Sequence, residues 1–303
     1  MTRSKAPTVP GLAPAYATRL GRAYAGDALE AIARMPAASV NLAFTSPPFA
    51  LRRPKAYGNV AAAAYADWFL PIAEQVHRVL RDDGSFVVEL GGAWNPGSGT
   101  RSLMPYALLL RLGERFHLAQ DFYWWNTCRL PTPTQWVCRR RTRVKEAVTM
   151  IWWLSKTAEP KADNRRVLKP YERDVRHFKK RLRPSGHVLG PDTWQRDNGG
   201  AIPPNVFCLA NTNANDDFVR RCKAAGAVVH PCRMPPAIPD FFVRFLTEPG
   251  DVVLDPFAGS NTTGAAAEAL GRHWLAVEIE PDYVAASGLR FPGARAAGPG
   301  EVG

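Results

Sequence analysis

The chain has 303 residues, a formal net charge of +12 and 46% hydrophobic residues, enough for one large α/β domain or a domain with an insertion. The five cysteines form no C-x-x-C pair and the six histidines show no metal spacing, which argues against disulfides and metal and favours reduced thiols in the cytoplasm. The charge favours a polyanionic partner, with a basic surface kept for solubility as the alternative.

The first half of the chain alternates helix and strand patterns. The spacing predicts a helix from residue 26, a buried strand over Val40–Thr45, a helix over 65–84 and a short strand over 85–90. A helix over 103–116 and strands over 122–127 and 144–156 follow. No apolar run is long enough to span a bilayer, and the N-terminus lacks the apolar core of a signal peptide. Alternation of this kind is typical of a parallel, doubly wound sheet.

A basic segment interrupts this pattern. Residues 156–196 contain twelve Lys and Arg against five Asp and Glu, with little apolar periodicity. We interpret the segment as an insertion with a charged working face; a solvated linker is the alternative. Strand and helix patterns resume after it. The predicted organisation is a tail (1–14), a catalytic half (15–155), a basic target-recognition insertion (156–205), a cofactor-binding half (206–291) and a second tail (292–303).

The motif VVLDPFAGSNTTG, starting at residue 252, predicts a strand that runs through a glycine loop into a helix. Asp255 ends the strand, Gly259 lets the backbone approach a ligand, and the following helix N-terminus favours an anion. Glu278 ends the next strand, where it can accept hydrogen bonds from ribose hydroxyls. The loop lacks the G-x-G-x-x-G pattern of dinucleotide sites. It fits a nucleoside with an amino-acid tail, S-adenosylmethionine; an ordinary strand-to-helix turn is the alternative.

The motif TSPPF at residues 45–49 follows a predicted buried strand. The two prolines fix φ and lack N–H groups, so that neighbouring carbonyls form a stiff set of acceptors. Ser46 adds a hydroxyl and Phe49 a flat apolar ring. Such a set suits an exocyclic amino group on a planar base, whose lone pair two acceptors would localise towards a methyl donor. A rigid corner without chemistry is the alternative.

Together, TSPPF and DPFAGSNTTG resemble the motifs of the DNA amino-methyltransferases, in the order of the permuted β class. The resemblance implies a Rossmann-like, circularly permuted methyltransferase fold with helices on both faces of a mostly parallel sheet. It also implies that Ser46, Pro47, Pro48 and Phe49 hold the target amine and base. The implied cofactor residues are Asp27, Thr45, His230, Pro231, Asp255, Phe257, Gly259, Ser260, Asn261, Thr262 and Glu278. Asn261 replaces the Gly of many relatives, and Asn tolerates positive φ.

In this family Ser before the two prolines favours cytosine N4 as the acceptor, with adenine N6 as the alternative. We therefore expect a site-specific enzyme that flips its base out of duplex DNA. Methylation of RNA or of a protein glutamine, and a catalytically inactive DNA-binding regulator, are the rival interpretations. A restriction endonuclease acting on the same site is the further partner expected, and both a monomer and a weak homodimer remain open.

Two basic clusters are the predicted DNA-contacting residues. The first precedes the strand at 144–156; a charged edge that discourages strand pairing is its alternative reading. The second lies in the insertion, which we expect to read base edges in the major groove. The members are Arg139, Arg140, Arg141, Arg143, Lys179, Lys180, Arg181 and Arg183.

Overall fold

The computed structural model describes residues 6–50, 60–172, 181–182, 188–189, 198–211 and 216–296. Its strands are β1 (Tyr16–Ala17), β2 (Gly21–Ala25), β3 (Val40–Thr45), β4 (Leu80–Leu90), β5 (His117–Asn126), β6 (Val148–Ser155), β7 (Arg181–Leu182), β8 (Val188–Leu189), β9 (Val206–Leu209), β10 (Val252–Asp255), β11 (His273–Glu278) and β12 (Arg295–Ala296). Its α-helices are α1 (Ala28–Ala33), α2 (Tyr65–Val79), α3 (Met104–Leu112), α4 (Asp217–Ala224), α5 (Ala237–Leu246), α6 (Thr262–Ala269) and α7 (Pro281–Gly288).

One sheet of ten strands has the order β12-β1-β2-β11-β10-β3-β4-β6-β5-β9. Strands β2, β11, β10, β3 and β4 are parallel, whereas β6 runs antiparallel to both β4 and β5. Antiparallel strands can be joined without a crossover helix, and residues 127–147 make that connection between β5 and β6. The expected mostly parallel sheet is confirmed. We call the edge at which the five parallel strands end the carboxyl edge, and the opposite one the amino edge.

Helices cover both faces of the sheet, as expected. On one face α1, α2 and α3 bury side chains such as Ile32, Phe69 and Leu108. On the other face α5, α6 and α7 bury Phe242, Ala267 and Val284. Two apolar cores therefore hold the central strands rigidly, so that the loops at the carboxyl edge start from fixed positions.

The two halves of the chain meet in the middle of the sheet. β10 pairs with β3, placing Val253 opposite Leu42 although more than two hundred residues separate them in the chain. The loop that follows β3 and the glycine loop that follows β10 consequently lie side by side. The two motifs are therefore neighbours in the sheet although they are far apart in the chain.

Some predicted boundaries are wrong. The helix expected over 65–84 ends at Val79, and the next strand begins at Leu80 instead of residue 85. Leu80 is fully buried and pairs with Val40, so tertiary packing overrides the helical pattern of the preceding residues. The sequence interpretation also assigned no helix to α4 or α7 and no strand to β2 or β9.

The first part of the basic insertion does not form a free charged face. Its basic side chains form ion pairs: Lys156 with Asp82, Lys161 with Glu248 and Asp251, Arg165 with Asp163, and Arg166 with Asp163 and Glu248. Asp82 lies near the start of β4, and Glu248 and Asp251 precede β10, so that most of these pairs lie at the amino edge. This part of the insertion braces the sheet on the side away from the glycine loop.

Candidate active site

A cavity of about 680 Å³ opens at the carboxyl edge of the sheet. Its walls come from the segments that follow β2, β3, β10 and β11, from the ends of β4 and β5, and from the start of the antiparallel β6. Ligands of open α/β sheets bind at this edge because strand ends and helix starts leave backbone groups free there. The cavity joins the two sequence motifs in one site.

The segment Ser46–Pro47–Pro48–Phe49 lines the cavity directly after β3. The hydroxyl of Tyr65, a fully buried residue of α2, donates to the carbonyl of Pro48 over 2.8 Å and fixes this corner. The four residues predicted to hold the target amine are therefore placed together on one wall.

Glu89, which the sequence interpretation did not select, lies behind this corner. Ser46 Oγ donates a hydrogen bond to the carboxylate of Glu89, which lies near the end of β4 and is 3% exposed. Burial raises the pKa of Glu89 to about 7, against the opposing effects of the Ser46 hydrogen bond and the positive charge of Arg129. The sequence shows only an acid in the apolar run that precedes Gly91 and Gly92, which indicates a strand end but not the pairing with Ser46.

The glycine loop forms the opposite end of the cavity, where Gly259, Ser260 and Thr262 lie on the wall. Gly259 has a φ of +51°, and a Cβ there would lie 3.2 Å from Nε2 of His230. The ring of His230 in turn packs edge-on against Tyr283, with centroids 4.6 Å apart. Glycine is therefore favoured at 259, both by the left-handed backbone and by the close approach of His230.

Two buried carboxylates fix the shape of this end. Asp255 accepts from the hydroxyls of Thr45 (3.0 Å) and Thr263 (2.6 Å), and burial raises its pKa to about 6. Glu278 accepts from the backbone N–H of Gly259 over 2.8 Å, and burial also raises its pKa. Each carboxylate thus links neighbouring segments that surround the cavity.

Arg290 supports the glycine loop from behind. Its guanidinium donates to the carbonyl and, over 3.0 Å, to the hydroxyl of Ser260, and it lies 3.9 Å from the ring centroid of Phe218. Burial lowers the pKa of Arg290 to about 10. No sequence motif indicated this residue, because its role depends on α4 packing beside α7.

Of the remaining predicted cofactor residues, three lie on the cavity wall and two do not. Asp27, Pro231 and Phe257 lie on the cavity wall, although Asp27 also caps α1 by accepting from the N–H of Glu30. Thr45 and Asn261 are not on the wall. Asn261 adopts a left-handed conformation with φ of 52° and caps α6, so its side chain is used within the protein.

Further wall residues were not predicted. Trp124 and Thr149 come from the end of β5 and the start of β6, and Arg129 follows β5. All three line the same cavity as Ser46 and Glu89, to which they add an aromatic, a hydroxyl and a positively charged group.

The predicted DNA-contacting residues divide between two regions. Arg139, Arg140, Arg141 and Arg143 lie on the connection between β5 and β6. Lys179, Lys180 and Arg183, together with the side chain of Arg181, lie outside the described residues. The described part of the chain contains neither a group of three or more side chains placed to hold a metal ion nor a helix with the length and apolarity to cross a bilayer.

The fold is the Rossmann-like methyltransferase fold: a mostly parallel sheet with an antiparallel strand, flanked by helices, with a glycine loop and a buried acid at its carboxyl edge. The chain belongs to the N6/N4 DNA methylase family, whose model matches residues 40–288.

Similar proteins agree with this assignment. The chain is 46% identical to the type II methyltransferase M.PvuII of Proteus hauseri, over 93% of this chain and 86% of that protein. The solved structure of PvuII DNA methyltransferase (cytosine-N4-specific) is 43% identical with a TM-score of 0.77, over 93% of this chain and 90% of that one. A DNA modification methylase of Thermus thermophilus, TTHA0409, solved with S-adenosyl-L-methionine, shares the fold at 23% identity and a TM-score of 0.58, over 89% and 93% of the two chains.

Proposed function

We propose that the protein is a site-specific DNA methyltransferase that transfers a methyl group from S-adenosylmethionine to N4 of cytosine in duplex DNA. The observation that carries the proposal is the single cavity that joins the Ser46–Phe49 corner to the glycine loop and Glu278. An amine held at one end lies within reach of a methyl donor held at the other.

The glycine-loop end has the groups that this cofactor requires. Bound S-adenosylmethionine supplies an electrophilic methyl group on a sulfonium centre. Each oxygen of Glu278 accepts one backbone N–H, from Gly259 and from Glu280, and the remaining lone pairs can accept from ribose hydroxyls. Phe257 and Ile279 offer apolar surface beside that carboxylate for a purine ring.

At the other end, Ser46 and Glu89 act on the amine. The Ser46 hydroxyl donates a hydrogen bond to Glu89. The lone pairs of Ser46 Oγ therefore remain available to accept an N–H of the target base. With the cofactor bound, the new N–C bond would form as the S–CH3 bond breaks, leaving neutral S-adenosylhomocysteine, and the amine would lose one proton. Glu89, with a pKa near 7, can accept this proton through Ser46 and release it to solvent afterwards.

Phe49 offers its ring as the stacking surface for the base, and Trp124 lies across the same cavity. A cytosine inside a duplex cannot reach this position, so the base must be flipped at a cost of roughly a few kcal/mol. Ring stacking and the amine hydrogen bonds offset that cost.

Cytosine N4 is favoured over adenine N6 by the relatives. The 43% identical solved structure is named cytosine-N4-specific, whereas the DNA adenine methyltransferase YhdJ of Escherichia coli is 26% identical over 86% of this chain. Ser46 is neutral and has the buried carboxylate of Glu89 behind it. A motif with Asp at this position would instead carry a charge on the residue before the two prolines.

We assign DNA recognition to the part of the insertion after residue 169, since the four basic side chains before it are ion-paired. The type II name of M.PvuII supports a restriction endonuclease that reads the same site as a further partner. With DNA as its substrate, the protein would act in the cytoplasm on chromosomal DNA.

Transfer of a tritiated methyl group from the cofactor to duplex DNA, RNA and protein tests the proposal. We expect label in duplex DNA only, and its loss in Ser46→Ala with cofactor binding retained. Label in RNA alone or in protein alone would show that DNA is not the substrate. Cofactor binding without transfer to any substrate would favour a regulator that has lost its activity.

A further inference from the structure

Residues 127–147, which we call the arginine arm, connect β5 to β6 at the carboxyl edge. The backbone N–H of Asn126 donates to the carbonyl of Ala147 over 2.8 Å, and that of Glu146 donates to Thr132 over 3.1 Å, which closes the base of the arm. The arm contains six basic residues and one acidic residue. It begins beside Arg129, which lines the cavity, so this charge lies next to the candidate active site.

The arm does not protect an open sheet edge. β5 has β6 and β9 as neighbours, and β6 has β4 and β5, so both strands that the arm connects are internal. A charged segment that discourages strand pairing has no purpose at such a position. The concentration of arginines therefore requires another explanation.

Gly92 and Gly99, in the segment that follows β4, hold the arm in place. A Cβ at Gly92 would lie 1.8 Å from Nη2 of Arg101, so the guanidinium of Arg101 rests directly on this backbone. From there Arg101 forms an ion pair with Glu146 of the arm. A Cβ at Gly99 would lie 2.8 Å from the ring of Trp136, which also belongs to the arm.

The same segment after β4 supports the ring of Phe49, which lines the cavity. A Cβ at Gly91 would lie 2.6 Å from the ring of Phe49. Gly91 and Gly92 are consecutive, so one dipeptide at the end of β4 seats the ring that faces the base and the arginine that holds the arm. A shift of the arm would thus be transmitted to the position of Phe49.

Besides Arg129, the arm contains four arginines, and these four have different surroundings. Arg140 lies over the ring of Trp136, 4.5 Å from its centroid, and Arg143 donates to the carbonyls of Gly99 and Thr142. Arg139 and Arg141 are exposed, and their side chains form no hydrogen bond or ion pair with any residue that the structure describes. Two of the guanidiniums therefore help to build the arm and two are available to a ligand.

We propose that the arginine arm is a phosphate clamp for the DNA backbone beside the flipped base, with Arg139 and Arg141 as the contacting residues. Arg101, Glu146 and Trp136 are positioning residues that hold the clamp at a fixed distance from Phe49. The proposal rests on the proposed function, since it takes DNA as the substrate. Planar guanidiniums with free N–H groups bind phosphate oxygens in bidentate fashion.

The contact is tested by the salt dependence of binding to a fluorescein-labelled duplex of mixed sequence. Arg139→Ala with Arg141→Ala should reduce the slope of log K against log salt by roughly 2, since each phosphate contact contributes about 0.9. The matched control, Arg19→Ala with Arg81→Ala, removes two exposed arginines at the amino edge and should leave the slope unchanged. An unchanged slope in the first pair, or equal losses in both pairs, would overturn the clamp.

The anchoring role is tested by a charge exchange between Arg101 and Glu146. Arg101→Glu should lower kcat at saturating DNA by about tenfold to a hundredfold, because a displaced clamp misplaces the base. The double variant Arg101→Glu, Glu146→Arg should recover most of that loss. A parental rate in the single variant, or no recovery in the double variant, would contradict the anchoring role.

These outcomes are separable from failure of the proposed function. If the parent protein transfers no methyl group to DNA, the enzymatic proposal fails, while the contrast in salt slope between the two arginine pairs still decides whether the arm contacts DNA. If the parent methylates DNA and the slopes do not differ, only the clamp fails.

Discussion

Glu89→Gln is the substitution that tests the chemistry of the site most sharply. The ionised carboxylate is buried without a cation in direct contact among the residues that the structure describes, and its pKa of about 7 compares with an ordinary value of 4.5. This difference corresponds to about 3 kcal/mol, since one pKa unit is about 1.4 kcal/mol. The folded state binds the Glu89 proton more tightly than the unfolded chain, so the stability contributed is complete below about pH 4.5 and is lost as the pH rises through about 7.

Glutamine keeps an acceptor for the Ser46 hydroxyl but has no charge to desolvate. We therefore expect Glu89→Gln to be more stable than the parent at pH 8, by up to about 3 kcal/mol in urea unfolding, with the advantage shrinking towards pH 5. Glu114→Gln, the same exchange at an exposed position, is the matched control.

The same substitution, Glu89→Gln, should lower activity although it raises stability. Because glutamine cannot accept the amine proton, kcat for methyl transfer should fall by about a hundredfold or more. The parental kcat should rise with pH through about 7, as Glu89 ionises, and this step should be absent in the variant. A variant with parental kcat, or with no gain in stability at high pH, would refute the assigned role of Glu89.

Three other substitutions test the two ends of the cavity. Gly259→Ala should weaken cofactor binding in calorimetry by about tenfold, because the φ of +51° disfavours a side chain by about 1 kcal/mol and the new Cβ crowds His230; parental affinity would exclude this packing. Gly91→Ala should displace the Phe49 ring and reduce kcat while the KM for the cofactor stays unchanged; a rise in that KM alone would place the effect elsewhere. Glu278→Ala should raise the Kd for the cofactor by about tenfold or more, through loss of charge-assisted hydrogen bonds, and leave DNA affinity in gel-shift assays intact; equal weakening of both would indicate a general loss of folding.

The sequence predicted those parts of the fold that depend on local pattern. Val40–Thr45 has the bounds expected, because a short apolar run ended by two prolines has one interpretation. The end of α2 was placed too late, because Leu80 pairs with a strand forty residues earlier in the chain. Such long-range pairing leaves no local trace.

The site was predictable where chemistry is concentrated in motifs. Ser46, Phe49, Gly259 and Glu278 share one cavity, as the adjacency of the two motifs implies. Glu89 could not be assigned to this site from its surroundings in the sequence, since its role depends on the parallel pairing of β3 with β4, which sets the Ser46 hydroxyl beside it.

The division among the arginines of the arm also escaped prediction. In the sequence Arg139 and Arg140 are equivalent members of one basic run. The difference arises because Trp136 packs against Gly99. In this position the ring of Trp136 lies under Arg140, whereas Arg139 faces solvent.

The identity of the modified base shows whether the cavity methylates cytosine at N4. DNA from cells that express this chain, digested to nucleosides and analysed by mass spectrometry, should contain N4-methylcytosine, and DNA from cells that express Ser46→Ala should lack it. N6-methyladenine in place of N4-methylcytosine, or equal amounts of N4-methylcytosine with the parent and the variant, would contradict cytosine N4 methylation at Ser46.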